Sequence, residues 1–575
     1  MSTLPLLAAG LTHGLVRLAP VDMAIVILYF AAVLSLGFYL KKRTSSGEDF
    51  FLAGRGMGAW IAGLSFLAAN LGALELMGWA ASAYEYGILA IHWYWIGAIP
   101  AMVFLALVMM PFYYISRTHS VPGYLKLRFG ESTRGLSAFS FAAMTILVSG
   151  VNMFAMATVM QVVLGWNLDF SIWVSAITVA VYVGLGGLTS AILNEVLQFF
   201  LIWCGALVIP ILGLMETGGW GPLKQRIIHN MAHGATYLHA WTTLGHYTSN
   251  PMGIQWVGIV FGLGFVISFG YWTTDFLVVQ RVLTAKNVRA SKMAPIIGAF
   301  FKMAIPAIVI LPGLIGLGVL ATGAHPMHLV SQALAKSGQH TYNQVLPLLL
   351  IRYAPPGLLG LGVTALIAGF MSGMAGNVSA FSTVWTYDIY RPLIRPDASD
   401  KHYLGMGRWS TVAGVLASIG TAYFVMHAAS IMDYVQALFS FFVAPLFGTV
   451  ILGMLWKRTT NAGAFWGLLS GMTASIGMWV WEKANPHSLA IIALSPAASP
   501  MAADMYRALW SWLLCVFVTV IVTFWTEPRA LEDLKGLVYG CTELPDEGSY
   551  PWVQRPAFWG VAAIVVLIWL NWVFR

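Results

Sequence analysis

Runs of about 20 consecutive apolar residues, the length that crosses a bilayer as a helix, recur along this 575-residue chain. No other feature restricts its folding so much. Inside lipid a backbone must satisfy its own hydrogen bonds, which leaves helices and closed barrels as the only spanning structures. Fourteen runs are read, at 21–40, 58–86, 88–115, 132–164, 168–188, 190–215, 252–280, 295–321, 357–393, 408–427, 430–456, 461–482, 506–526 and 554–574. They are continuously apolar and lack the alternation of barrel strands, so an all-α integral membrane protein is expected. Composition agrees: with 59% hydrophobic and 9% charged residues, a chain this long could not stay dispersed in water.

The net charge of +8 does not indicate nucleic acid, because the basic residues are spread over short loops. They set orientation instead. With the N-terminus outside, 21 of the 30 Lys and Arg fall on the cytoplasmic side, 8 fall outside, and Lys302 lies within a span. That is the asymmetry of the positive-inside rule. The inner clusters are Lys41, Lys42 and Arg43; Arg117, Lys126 and Arg128; Arg281, Lys286, Arg289 and Lys292; Arg391 and Arg395; Lys457 and Arg458. Cys204, Cys515 and Cys541 are too scattered for a disulfide framework or a metal cluster. The first twenty residues lack a basic start and a small-residue cleavage site, so an uncleaved outer tail is expected.

Connections are short, and one membrane domain without a soluble catalytic module follows. Two longer outer segments, 216–250 and 322–356, stand apart. The first carries His229, His233, His239 and His246 without acidic or Cys partners, which favours a solvated cap over a metal site. Breaks inside the spans say more. Asn70, Gly72 and Gly78 interrupt span two, and Gly262, Gly264 and Gly270 interrupt span seven, five spans later. Weakened helices at the start of successive five-helix units point to an inverted-repeat transporter, whose unwound backbone coordinates an ion at midplane. The competing reading is that these glycines let helices pack closely.

An ionised side chain at membrane depth costs about 2.5–3.5 kcal/mol on insertion scales, so each is a candidate for function. Glu75 follows the break in span two, Asp275 lies toward the inner end of span seven, and Lys302 lies inside span eight. Glu195 and Asp433 begin spans and have an interfacial alternative; Lys302 has the alternative of reaching its ammonium to the interface. Span nine adds Ser372, Asn377, Ser379, Ser382 and Thr383 on a small-residue background. Ser372 opposite carbonyls freed in span two makes an oxygen site suited to a hard monovalent cation. Alternatively, such hydroxyls bond back to their own helix.

Seven motifs in order complete this reading: FFLAGR at 50–55, LSFLAAN at 64–70, SVPGYLKLRFG at 120–130, GGLTSAILNEVLQ at 186–198, YWTTDFLVVQR at 271–281, TYDIY at 386–390 and LGMLWKR at 452–458. Together they resemble the sodium:solute symporter family, and within it the sodium/galactose and sodium/glucose branch. The resemblance implies a leucine-transporter-like core of two inverted five-helix repeats working by alternating access. The chain then divides into 1–57 (outer tail, first span, inner loop), 58–215 (first repeat), 216–251 (outer loop), 252–456 (second repeat) and 457–575 (three further spans).

Carried over position by position, the resemblance puts a sodium site on the carbonyls of Ala68, Leu71 and Gly369 and the hydroxyl of Ser372. Gly373 stands where a second hydroxyl is expected. It puts the substrate on Asn70, Glu75, Trp93, Tyr94, Ser268, Tyr271, Lys302 and Gln436, with Tyr271 closing the inner side, and an inner cation exit path at Glu195. Three positions depart from the branch: Glu75 replaces an amide, Tyr94 a carboxylate and Ser268 an asparagine. Asp275 likewise matches an uncharged amide. The implied activity is cation-coupled symport, with sodium as the coupling ion, of a small polar solute such as galactose or glucose across the cell membrane. Hydroxyls need the paired donors and acceptors this inventory supplies, and aromatic faces cover the apolar side of a pyranose. Gly373 and Glu75 keep a proton-coupled or uncoupled carrier open. A membrane solute sensor is the alternative from another class, and no base–nucleophile pair or metal set at midplane points to an enzyme.

Overall fold

The computed structural model describes residues 18–41, 47–231, 233–320, 342–425, 430–485, 487–543 and 550–575. The apolar runs are helices, and among the described residues the one β-type contact is an isolated bridge between Met57 and Ala285. The N-terminal tail to residue 17, Lys42, Arg43 and most of the outer segment 322–356 lie outside the described residues.

Helix α1 (Pro20–Lys41) is tied at its start to a distant helix by the buried Asp22. Asp22 Oδ1 accepts from the amides of Gly357 and Gly360, both at 2.7 Å, and Oδ2 accepts from Ala19 N at 2.9 Å. Helix α2 (Ala59–Asn70) stops at the expected break. Leu71 leaves the helical region (ψ 58), Gly72 is extended (ψ 175), and α3 (Ala73–Tyr86) resumes the span. At Gly87 (φ 69) the chain turns so tightly that a Cβ would stand 2.4 Å from Tyr237 O, which favours glycine there and starts the run to Ile115. Helix α4 (Glu131–Leu164) and α5 (Leu168–Ala206) follow. Helical hydrogen bonding continues unbroken through 189, where the sequence places a loop between two spans, because no proline or polar cluster interrupts it.

Span seven is broken, at a different residue from the expected one. A π-helical stretch Gly258–Ser268 leads into α6 (Phe269–Thr274), Asp275 is extended (ψ 114), and α7 (Phe276–Leu283) restarts at an angle of 48°. Gly262, Gly264 and Gly270 do not unwind it. A Cβ on Gly262 would lie 2.5 Å from Met505 O, and one on Gly270 2.6 Å from Val443, so these glycines serve close packing. In span two, likewise, Gly78 packs on Met432 and the break belongs to Leu71 and Gly72. The two broken spans are fastened to each other: Met57 N donates to Thr284 O at 3.0 Å, and Lys286 N donates to Met57 O at 2.9 Å.

Helix α8 (Val288–Ala304), α9 (Leu358–Val384), α10 (Asp400–Val425), α11 (Ile431–Leu438), α12 (Asn461–Ala484), α13 (Pro500–Trp525) and α14 (Pro556–Val573) follow, and Val208–Thr217, Pro306–Val319, Val345–Tyr353 and Ala444–Leu455 are helical as well. Among the described residues eight helices are long and apolar enough to cross alone, and the broken span makes nine. The remaining runs of the expected fourteen are shorter, less apolar or joined to a neighbour. The most apolar window of Leu358–Leu393 is 89% buried and that of Pro556–Val573 is 22% buried, which makes α9 the central helix and α14 peripheral. Ile27, Leu28, Phe200, Leu416, Phe517 and Ile568 stand exposed around the outside, the surface that lipid covers.

Candidate functional site

The break between α2 and α3 opens one wall of a polar cavity of about 810 Å³ including its mouth. All eight substrate residues expected from the sequence line it: Asn70, Glu75, Trp93, Tyr94, Ser268, Tyr271, Lys302 and Gln436. They come from α2, α3, the segment after Gly87, the broken span seven, α8 and α11, which converge because the unwound backbone leaves room between them.

The polar centre is an ion pair. Lys302 Nζ donates to Glu75 Oε1 at 2.7 Å and to Asn70 Oδ1. Glu75 Oε1 also accepts from Tyr94 Oη at 2.8 Å, and its Oε2 accepts from Trp79 Nε1 at 3.0 Å, one turn along α3. The ammonium lies over the Tyr94 ring (4.6 Å) and the Trp272 ring (5.1 Å). Lys302 is therefore inside the bundle, 2% exposed, and does not reach for the interface. Asn70 Nδ2 donates to Tyr271 Oη at 2.9 Å, and the Tyr271 ring packs on Phe439 with centroids 5.1 Å apart. Two buried polar atoms on the wall, Trp93 Nε1 and Gln436 Oε1, have no protein partner. In a cavity such atoms are the groups a ligand satisfies. Asp275 also lines the cavity; its Oδ1 caps α7 by accepting from Leu277 N at 2.9 Å.

Beside the cavity, Ala68, Leu71, Gly369 and Ser372 come together across the α2–α9 contact, all buried. Ser372 Oγ donates to Ala68 O at 2.9 Å, and a Cβ on Gly369 would lie 3.2 Å from Leu71 O. The Ser372 hydroxyl and the Ala68 carbonyl thus meet beside the helix break, and oxygen donors of these kinds suit a hard monovalent cation. Other hydroxyls of α9 turn elsewhere: Thr383 Oγ1 donates to its own helix at Ser379 O, and Ser382 Oγ donates to Gly407 O. Gly373 sits where its backbone touches the break; a Cβ there would be 3.1 Å from Gly72 Cα and 3.4 Å from Asn152 Oδ1. Asn152, on α4, fills the notch left by the two glycines and accepts from Leu74 N at 3.2 Å, fixing the first turn of α3. Asn152 is absent from the sequence-derived set. The available signal was an amide in the middle of the apolar run 132–164.

Glu195 is fully buried rather than interfacial. Its partner is Arg281, which the charge count assigns to an inner loop and which is 0% exposed. Arg281 Nη2 donates to Glu195 Oε1 at 2.6 Å, Nε donates to Oε2 at 3.3 Å, and Ser65 Oγ donates to the same carboxylate. Gln280 and Ser379 hold the other face of the guanidinium. In the outer segment His229 ends a short helix, Trp220–Asn230, packed through Leu223 and Ile227. Among the described residues no group of three or more His, Cys, Asp or Glu is placed to hold a metal ion.

Comparison with known proteins bears on this geometry. The family model of the sodium:solute symporter family matches residues 50–471. Similar proteins include sodium/glucose cotransporter 4 of Mus musculus, 28% identical over 535 residues covering 90% of this chain and 77% of that protein. Sodium/glucose cotransporter 1 of Ovis aries is 27% identical, with 92% and 82% covered. The sodium/myo-inositol cotransporter of Canis lupus familiaris is 28% identical, with 89% and 74% covered. Among solved structures, a Na+-coupled sialic acid symporter in a substrate-bound outward-open state superposes with a TM-score of 0.70 at 20% identity, over 89% of this chain and 99% of that one, a likeness of fold.

Proposed function

This chain belongs to the sodium:solute symporter family, and from that premise we propose that it couples sodium entry to uptake of a neutral polyhydroxylated solute, a monosaccharide or a cyclitol, across the cell membrane. One observation carries the reading. Ala68 and Leu71 of the candidate ion set and Asn70 and Glu75 of the candidate solute set flank the α2–α3 break, so the segment that receives the cation also forms part of the wall of the solute cavity. Cation binding between α2 and α9 orders that segment and so raises solute affinity; by linkage the solute raises cation affinity by the same factor. The Asn70–Tyr271 contact is the inner closure that parts when both ligands leave. Relatives named for glucose and for myo-inositol support the solute class.

The proton-coupled alternative rests on Gly373, which removes one hydroxyl from the expected ion set. Glu75 gives it little support, being held by three donors. Reconstituted protein in proteoliposomes tests both. Labelled galactose, glucose or myo-inositol should accumulate under an inward sodium gradient; accumulation that ignores sodium and follows a pH gradient would transfer the coupling to protons.

A further inference from the structure

Among the described residues lining the cavity, Lys302 is the one cation, and the protein has already engaged it. Of its three N–H donors one goes to Glu75 and one to Asn70, leaving one for a ligand. Glu75 Oε1 takes two donors and Oε2 one, so the carboxylate is held in place from three helical segments while keeping an acceptor free. Asp275 adds a second acidic side chain to the lining of the cavity. An anionic solute would meet an ammonium whose charge Glu75 already neutralises. A neutral polyol meets one free donor on Lys302, one free acceptor on Glu75, and the unpartnered Trp93 Nε1 and Gln436 Oε1.

We propose that Glu75 is a specificity-determining residue: by neutralising Lys302 inside the cavity it selects uncharged polyols against sugar acids, and its loss turns the same site toward hexuronates. This rests on the solute reading above and adds the residue that enforces it. The selection is a repulsive element, a fixed negative charge that a carboxylate-bearing competitor must approach at low dielectric. The geometry also names a compensating change. Tyr94 Oη lies 2.8 Å from Glu75 Oε1 and its ring lies 4.6 Å below the ammonium, so a carboxylate at position 94 reaches Lys302 from the neighbouring segment.

The experiment measures equilibrium binding of labelled D-galactose, myo-inositol and D-galacturonate to the purified full chain in saturating sodium. Wild type should favour galactose by about a hundredfold or more, and Glu75→Gln should move the ratio toward galacturonate by about tenfold or more. Glu75→Gln/Tyr94→Glu should return the ratio toward wild type, and Glu75→Gln/Lys302→Met should abolish the gain. A Glu75→Gln ratio within about twofold of wild type overturns the proposal. So does wild-type protein that binds both sugars alike, a result that needs no variant to fold. Wild-type protein that binds neither galactose nor myo-inositol removes the solute reading itself, and is thereby distinguished from failure of the Glu75 argument alone.

Discussion

Ser372→Ala separates the cation site from the fold. The hydroxyl donates to Ala68 O at 2.9 Å, but that carbonyl also accepts from Leu71 N at 2.9 Å. Removing Oγ therefore orphans no acceptor, and the cost to folding is that of one ordinary hydrogen bond, about 0.5–1.5 kcal/mol. The cation is affected more. Its other candidate ligands, at Ala68, Leu71 and Gly369, are backbone carbonyls, and Gly373 supplies nothing, so Ser372 is the sole side-chain oxygen of the set. A contact to a charged group contributes about 1.5–3 kcal/mol, which is about 10- to 150-fold in sodium affinity. The assay is the sodium dependence of initial uptake in proteoliposomes, run beside thermal melting in detergent. Half-saturation should move up by at least tenfold in order of magnitude while melting stays within about 3 °C of wild type. An unchanged sodium dependence would refute the site, and equal losses of stability and coupling would refute the separation.

Asn152→Leu keeps the volume in the notch but leaves Leu74 N–H unpaired at a buried helix start, a loss of about 1–3 kcal/mol. Sodium and solute binding should both weaken, because the residue braces the wall they share; a change in only one, by titration calorimetry, would contradict that bracing role. Arg281→Met strands the fully buried Glu195 and should cost about 3–5 kcal/mol. Glu195→Gln/Arg281→Met should recover much of it, and a melting cycle without such recovery would show that the two charges act independently.

The helical class and the break at Asn70–Gly72 were legible because each leaves a one-dimensional trace, hydropathy or a polar interruption, whereas the eight cavity residues followed from the family resemblance, position by position. The second break was misread. Its glycines resemble those of span two, but Gly262 and Gly270 face the backbone of Met505 and Val443, and no local pattern distinguishes a packing glycine from an unwinding one. The extended residue is Asp275, whose side chain caps the helix it begins. Charge pairs were also out of reach. Arg281 sits beside other basic residues in sequence and so reads as loop, while its partner is 86 residues away on α5. The Glu75–Lys302 pair spans 227 residues. Such pairings depend on which helices the tertiary fold brings together.

The carboxylate of Asp22 gives experimenters a handle on this machinery. Two amides at the start of α9 are bonded to one oxygen at the start of α1, so the N-terminal end of α1 is bound to the helix that carries Ser372. Helix α1 contributes no residue to the cavity wall. A spin label at Val21, which is 48% exposed, paired with a second label at the exposed Trp525 of α13, would therefore serve as a remote gauge of α9, reporting its displacement by pulsed dipolar spectroscopy while leaving both ligand sites chemically untouched.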